Sequence, residues 1–129
     1  MTVAIAVVDT SVVIDHLRGG AAATEKLMDT LAAGANLVAS EIVRFELLAG
    51  VRDEEREILD DFCTALTWCP VDENVSRLAG ALSRRYRRSH SGIGTADYVI
   101  AATALLLDAD LLTTNVRDFP MLEGLEAAY

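Results

Sequence analysis

Three carboxylates in this chain occupy positions where a negative charge costs free energy. Asp9 directly follows the apolar run at residues 3–8. Glu46 lies on a stretch with helical periodicity after Ser40. With Ile42 placed at about 0° on a helical wheel, Glu46 falls at about 40°, Gly50 at about 80°, Val43 at about 100° and Ala49 at about 340°. That puts Glu46 in the middle of the apolar stripe, with Arg44 on the opposite face. Asp97 is the only acid or base between His90 and Asp108, and its helical neighbours Ile100, Ala101 and Ala104 are all apolar. A carboxylate facing a core carries a desolvation cost of several kcal/mol, on the order of 2–7, unless something compensates it.

Each acid has an ordinary alternative. Asp9 can be a helix N-cap, Glu46 a snorkelling or hydrogen-bonded glutamate, and Asp97 a first-turn acid favoured by the helix dipole. As a set they are harder to explain separately. Two carboxylates about 4 Å apart repel by about 4 kcal/mol at an effective dielectric of 20. No lysine or arginine stands beside any of them on an inward-facing position. The natural counter-charge is a hard divalent cation. An all-oxygen donor set without histidine or cysteine favours Mg2+ or Mn2+ over zinc.

The elements that must position these acids follow from composition and pattern. The chain has 129 residues, 52% hydrophobic and 24% charged, which suits one soluble globular domain over residues 1–129 and excludes a disordered or fibrous chain. A net charge of −9 excludes a basic footprint over the whole surface. Cys63 and Cys69 fit neither a disulfide scaffold nor a common zinc spacing and read as small buried hydrophobes in a reducing, cytoplasmic setting. Residues 1–8 lack a positive n-region and read as a strand, not a signal peptide. The longest apolar run, residues 98–107, falls short of the roughly 20 residues that span a bilayer, so no membrane association is expected.

Strands are expected at 3–8, 37–39, 67–71 and 111–113, with the last residues adding an edge strand. The third strand tolerates Pro70 only near its end or at a sheet edge. Helices are expected at 12–17, capped by Ser11, at 24–33, at 41–49, capped by Ser40, at 53–65, at 72–88, and at 96–107, capped by Thr95. Residues 115–119 form a turn stopped by Pro120. Short apolar strands alternating with helices imply an α/β fold, a three-layer α/β/α sandwich around a parallel sheet of about four or five short strands. Ligands of such sheets bind beyond the carboxyl ends of the strands, which singles out the residues after Val8, Ala39 and Thr113.

Four stretches resemble the motifs of the PIN-domain family. They are Asp9-Thr10-Ser11-Val12-Val13-Ile14-Asp15, Glu46-Leu47-Leu48-Ala49-Gly50, Asp97-Tyr98-Val99-Ile100-Ala101-Ala102-Thr103-Ala104 and Thr114-Asn115-Val116-Arg117-Asp118-Phe119. Their order, separations and total length are similar to those of VapC-type toxins of bacterial toxin–antitoxin pairs. The resemblance runs from Val3 to Phe119. It implies Mg2+-dependent endoribonucleolysis of tRNA or ribosomal RNA, with Asp9, Glu46 and Asp97 as the main acids. Asn115 stands where many relatives have aspartate, and Asp118 matches a further recurrent acid that could supply the missing charge. The resemblance also implies a VapB-like antitoxin whose C-terminal segment blocks the acids, and a homodimer, for which Val12, Ile14 and Leu17 offer an apolar face.

On this reading Asp9 and Asp97 bind the ion directly, while Glu46 orients or deprotonates the attacking water or holds a second ion. Ser11 could hold a carboxylate or a metal-bound water, with its capping role alone as the alternative. In-line attack would leave a 5′-phosphate and a 3′-hydroxyl. No histidine base is required, in keeping with His16 and His90 being the only histidines. Arg84, Arg85, Arg87 and Arg88 cluster at the end of one helix and could grip the RNA backbone; complementing the helix dipole is their alternative role. The acids at residues 53–61 read as a solvated helix face. Two other functions compete. An aspartate-based phosphatase would need a second aspartate where Ser11 stands, and a lysine for which only Lys26 is available. A catalytically inactive PIN-like binding module would have no affinity for Mg2+ or Mn2+.

Overall fold

The first strand, β1 (Ile5–Val8), is made of β-branched residues and alanine, and Val7 and Val8 are fully buried. A strand covered on both faces belongs at the centre of a parallel sheet. In the computed structural model, which describes residues 4–129, it lies there. Val3, expected as its first residue, lies outside the described residues. β2 (Asn36–Ser40), β3 (Thr67–Cys69) and β4 (Asp110–Leu112) complete one sheet in the order β3-β2-β1-β4. All pairs are parallel, with Val7 opposite Val38 on one side and Leu111 on the other.

Six helices flank the sheet: α1 (Thr10–Leu17), α2 (Ala21–Ala32), α3 (Glu41–Gly50), α4 (Arg56–Cys63), α5 (Glu73–Tyr86) and α6 (Thr95–Leu106). This is the three-layer α/β/α arrangement expected from the alternation of elements. α6 has no polar side to turn outward, and every residue from Tyr98 to Ala104 is buried. It packs on β1, β2 and β4 as well as on α3 and α5. Pro70 falls just past the end of β3, an edge strand, where its missing N–H costs no ladder bond. Ser40 caps α3 as expected, its Oγ accepting from the Ile42 amide at 3.2 Å.

Several boundaries differ from the sequence expectation. α2 begins at Ala21, earlier than expected, because Ala23 is buried against the core and alanine sustains helix without a side-chain cap. The acid-rich stretch is divided into a 3-10 turn, Asp53–Glu55, and α4, with Glu55 Oε1 accepting from the Arg52 amide. α5 ends at Tyr86, leaving Arg87 at its C-cap and Arg88 beyond it. The tail forms no edge strand among the described residues, so the sheet has four strands. Val12 points into the core with no exposed surface and cannot face a second copy of the chain; Ile14 and Leu17 are half-buried. No described helix is long and apolar enough to cross a membrane.

The Asp72 carboxylate caps α5 by accepting from the Val75 amide at 2.9 Å. Asp72→Ala should cost about 1 kcal/mol, the usual value of such a cap. Urea unfolding should show a lower midpoint with an unchanged slope.

Candidate active site

The connections at the carboxyl edge of the sheet are very short. Asp9 alone separates β1 from α1, and α3 starts directly after β2. Strand order reverses at β1, since β2 lies on one side of it and β4 on the other. The crevice between β1 and β4 is therefore the topological switch point, where open α/β sheets bind ligands.

Asp9 sits at that crevice and is only 4% exposed. Its backbone N–H donates to Leu112 O at 2.9 Å. It occupies the N-cap position of α1, but its carboxylate makes no capping bond. Two hydroxyls donate to its Oδ2 instead, Thr113 Oγ1 at 2.6 Å and Ser11 Oγ at 3.0 Å. Ser11 thus lies inside the helix and supports the carboxylate; it does not cap α1, as its position in the sequence suggested.

Glu46 is half-buried and accepts from Thr10 Oγ1 at 2.7 Å through Oε1. It stands at the border of the buried stripe of α3. That stripe centres on Val43 and Leu47, while Ala49 and Gly50 are exposed, so the wheel centred on Ile42 was displaced towards the solvent. Asp97 lies in the first turn of α6, and its Oδ2 accepts from the Gly94 amide at 3.0 Å. This bond, not a Thr95 side chain, closes the helix end.

Burial, with smaller contributions from the charges of Asp118, Asp9 and Glu46, raises the Asp97 carboxyl to about 6 against the pull of the Gly94 amide. The charges that shift Asp97 are thus three other carboxylates from three other segments. The fold brings Asp9, Glu46, Asp97 and Asp118 within one electrostatic neighbourhood. Asn115 is exposed, and its backbone amide donates to Thr113 Oγ1 at 3.0 Å. Of the two residues considered for the fourth acid, Asp118 is the one whose charge acts on Asp97.

The acids share a field without closing on a common point. Among the described residues, no group of three His, Cys, Asp or Glu side chains forms a ready metal cage. Each carboxylate instead turns one oxygen to a neutral donor. Asp9 Oδ1, Glu46 Oε2 and Asp97 Oδ1 accept no hydrogen bond from a described residue, and none is a sealed, unpartnered atom. Hydroxyl and amide partners on one oxygen, with the second oxygen open, suit carboxylates that ligate a hard cation.

Thr10 and Thr113 were not singled out from the sequence. Their signal is a hydroxyl residue beside each acidic motif, in Asp9-Thr10 and Thr113-Thr114-Asn115. Arg84, Arg85, Arg87 and Arg88 are all exposed, and no described carboxylate pairs with them. They do not enter the acid cluster. Lys26 lines cavities beside Ala4, Ile5 and Asp110, at the amino ends of β1 and β4, so it cannot serve Asp9 as a phosphatase lysine.

A model of the PIN domain family matches residues 6–124. The ribonuclease VapC19 of Mycobacterium tuberculosis is 52% identical over 122 residues, covering 95% of this chain and 98% of that protein. Ribonuclease VapC10 of the same organism is 42% identical over 122 residues, covering 95% and 91%. DNA-bound VapBC from Salmonella typhimurium matches with a TM-score of 0.81 at 18% identity, covering 99% of this chain and 100% of that one. VapBC2 from Rickettsia felis, bound to a DNA fragment from its promoter, gives 0.80 at 22%, covering 95% and 96%. At these identities the structural likeness shows the fold alone.

The raised carboxyl of Asp97 has a stability consequence. Its folded value of about 6 lies above the ordinary 3.8, so the folded state holds its proton more tightly. The group therefore costs nothing below the ordinary value, and its penalty grows as pH rises towards 6 and is complete above it. Asp97→Asn keeps an oxygen acceptor for Gly94 and removes the charge. In chelator, the variant should melt higher than wild type at pH 7, and the difference should vanish near pH 4.

Proposed function

The chain belongs to the PIN-domain family, among its VapC ribonucleases, and we propose that it is a metal-dependent endoribonuclease, the toxin of a toxin–antitoxin pair. The observation that carries this reading is that four carboxylates from four segments share one electrostatic neighbourhood beside the switch point, each of the three main acids keeping one oxygen uncommitted. When bound, Mg2+ or Mn2+ supplies Lewis acidity at the phosphoryl oxygen and a lowered pKa for water. The all-oxygen donor set fits such a hard ion.

Asp9 Oδ1 and Asp97 Oδ1 would hold the ion, with Asp118 adding charge beside Asp97. Ser11 and Thr113 keep the Asp9 carboxylate from rotating. Glu46, steadied by Thr10 on Oε1, orients the attacking water and accepts its proton at Oε2. Asn115 steadies Thr113 through its backbone amide. In-line attack on an RNA phosphodiester forms a bond from the water oxygen to phosphorus, breaks the bond to the 3′-oxygen, and leaves a 5′-phosphate and a 3′-hydroxyl. The arginines at the end of α5 grip the RNA backbone outside the acid cluster, where they offset a net charge of −9.

A VapB-like antitoxin is the partner. An apolar cavity of about 140 Å3, lined by Ile14, Leu17, Leu47, Val51 and Leu59, opens beside Glu46 and gives a partner segment a foothold next to the acids.

The central test is RNA cleavage with mapped ends in Mg2+. Asp9→Asn and Asp97→Asn should each reduce the rate by more than about 100-fold, beyond the loss usual for outer partners of a metal ligand. At limiting Mg2+ cleavage should also weaken as pH falls towards about 6, where the metal-free Asp97 carboxyl takes up a proton, and more Mg2+ should restore it. Wild-type rates in Asp97→Asn, or full activity in chelator, would overturn the reading. Replacing the four arginines by glutamine should weaken RNA binding and flatten its salt dependence, by roughly one unit of slope per lost phosphate contact. Mn2+ affinity should not change.

A further inference from the structure

The chain beyond Phe119 adds no strand, yet it meets β4 at the point that governs Asp9. Successive carbonyls of a strand point to opposite sides, the geometry that lets a strand pair with two neighbours. Leu112 O faces β1, where it accepts from the Asp9 amide at 2.9 Å. Thr113 O accordingly faces the open edge of the sheet, where no fifth strand supplies a donor. The Ala128 amide supplies it, at 2.9 Å. The next residue, Tyr129, donates its hydroxyl to Asp15 Oδ2 on α1. Partial burial and then the Asp15 carboxylate push that hydroxyl's pKa upward, so it remains a protonated donor. Leu122, Leu125 and Ala128 pack against the main core along the way.

The tail thus joins the two elements that hold Asp9. α1 carries Ser11, and the end of β4 carries Thr113. Thr113 has no freedom to spare: its hydroxyl donates to Asp9 and accepts from the Asn115 amide, while its carbonyl is held by Ala128. We propose that Tyr129, acting with the Ala128 amide, is a positioning residue for the active site, strapping the end of β4 to α1 so that the Thr113 hydroxyl stays on Asp9 Oδ2 and Oδ1 stays free for the ion. The proposal rests on the metal-dependent reading above.

The test uses the full chain and Mn2+ alone as probe, read by calorimetry, with amide hydrogen exchange of the metal-free protein as a second readout. Tyr129→Phe should speed exchange at Ala128 and Asn115 and weaken Mn2+ binding by about tenfold, the low end for an outer partner of a metal ligand. Asp15→Ala should do the same, whereas Asp15→Asn keeps an oxygen acceptor and should restore wild-type affinity. Thr113→Val should lose at least as much as Tyr129→Phe, and the double variant no more than Thr113→Val alone, because both act through one hydroxyl. Thr113→Ser, which keeps the hydroxyl, takes the place of Thr113→Val as the background if the valine variant does not fold; there Tyr129→Phe should retain its full effect.

Unchanged Mn2+ affinity in Tyr129→Phe, or a full additional loss in the Thr113→Val background, would overturn the strap. Failure of the wild type to bind Mn2+ would instead overturn the metal-dependent reading. Exchange at Asn115 would still decide whether Tyr129 orders Thr113.

Discussion

The Thr113 hydroxyl reaches the Asp9 carboxylate across the seam between β1 and β4, joining residues 104 positions apart in the chain. Asp9 is a charge with almost no exposure, and charge at such a place survives only with strong partners. A hydrogen bond to a charged group contributes about 1.5–3 kcal/mol, and Asp9 has two such donors on one oxygen. The rest of the site is arranged around that point. The switch in strand order creates the seam, the one-residue connection after β1 places the acid in it, and the turn after β4 delivers the hydroxyl.

Around this anchor the structure tolerates a repulsion it does not relieve internally. Asp97 is pushed up by burial and by three other acids, and the Gly94 amide answers only part of that. The arrangement is the familiar conflict between stability and function, in which a site made ready for a ligand is less stable without it. Arg18 lines the cavity beside Glu46 but pairs with Glu55, at 3.7 Å. The four arginines at the end of α5 are exposed, and the arginines that do form ion pairs pair with Glu41, Glu55 and Glu73. An acidic pocket flanked by a separate basic patch suits a polyanionic substrate, which the patch can hold while the pocket stays open for a cation.

Much of the architecture was legible because its signals are local. A helix with no polar side had to be buried, and α6 is; Pro70 had to mark the end of a strand or an edge, and it does. Ser40 caps its helix as expected, because as the last residue of β2 it directly precedes α3 and its hydroxyl reaches the Ile42 amide. Ser11 does not cap because its hydroxyl donates to the neighbouring Asp9 carboxylate instead of accepting from a helix amide. Glu46 was placed too far inward because a helical wheel gives angles between residues but not the direction of the core. The tail was expected to add an edge strand, yet it meets the end of β4 through the Ala128 amide alone.

Residue type and order were enough to establish an alternating α/β chain, three anomalous acids and an oxygen-only donor set, because each of these is a property of short windows or of composition. That the Asp118 charge acts on Asp97, which hydroxyls hold Asp9 and Glu46, and what secures the open edge of β4 were decided only by tertiary structure. Those contacts join segments distant in the chain. Their partners are set by strand order and register, and no local pattern encodes where two such segments meet.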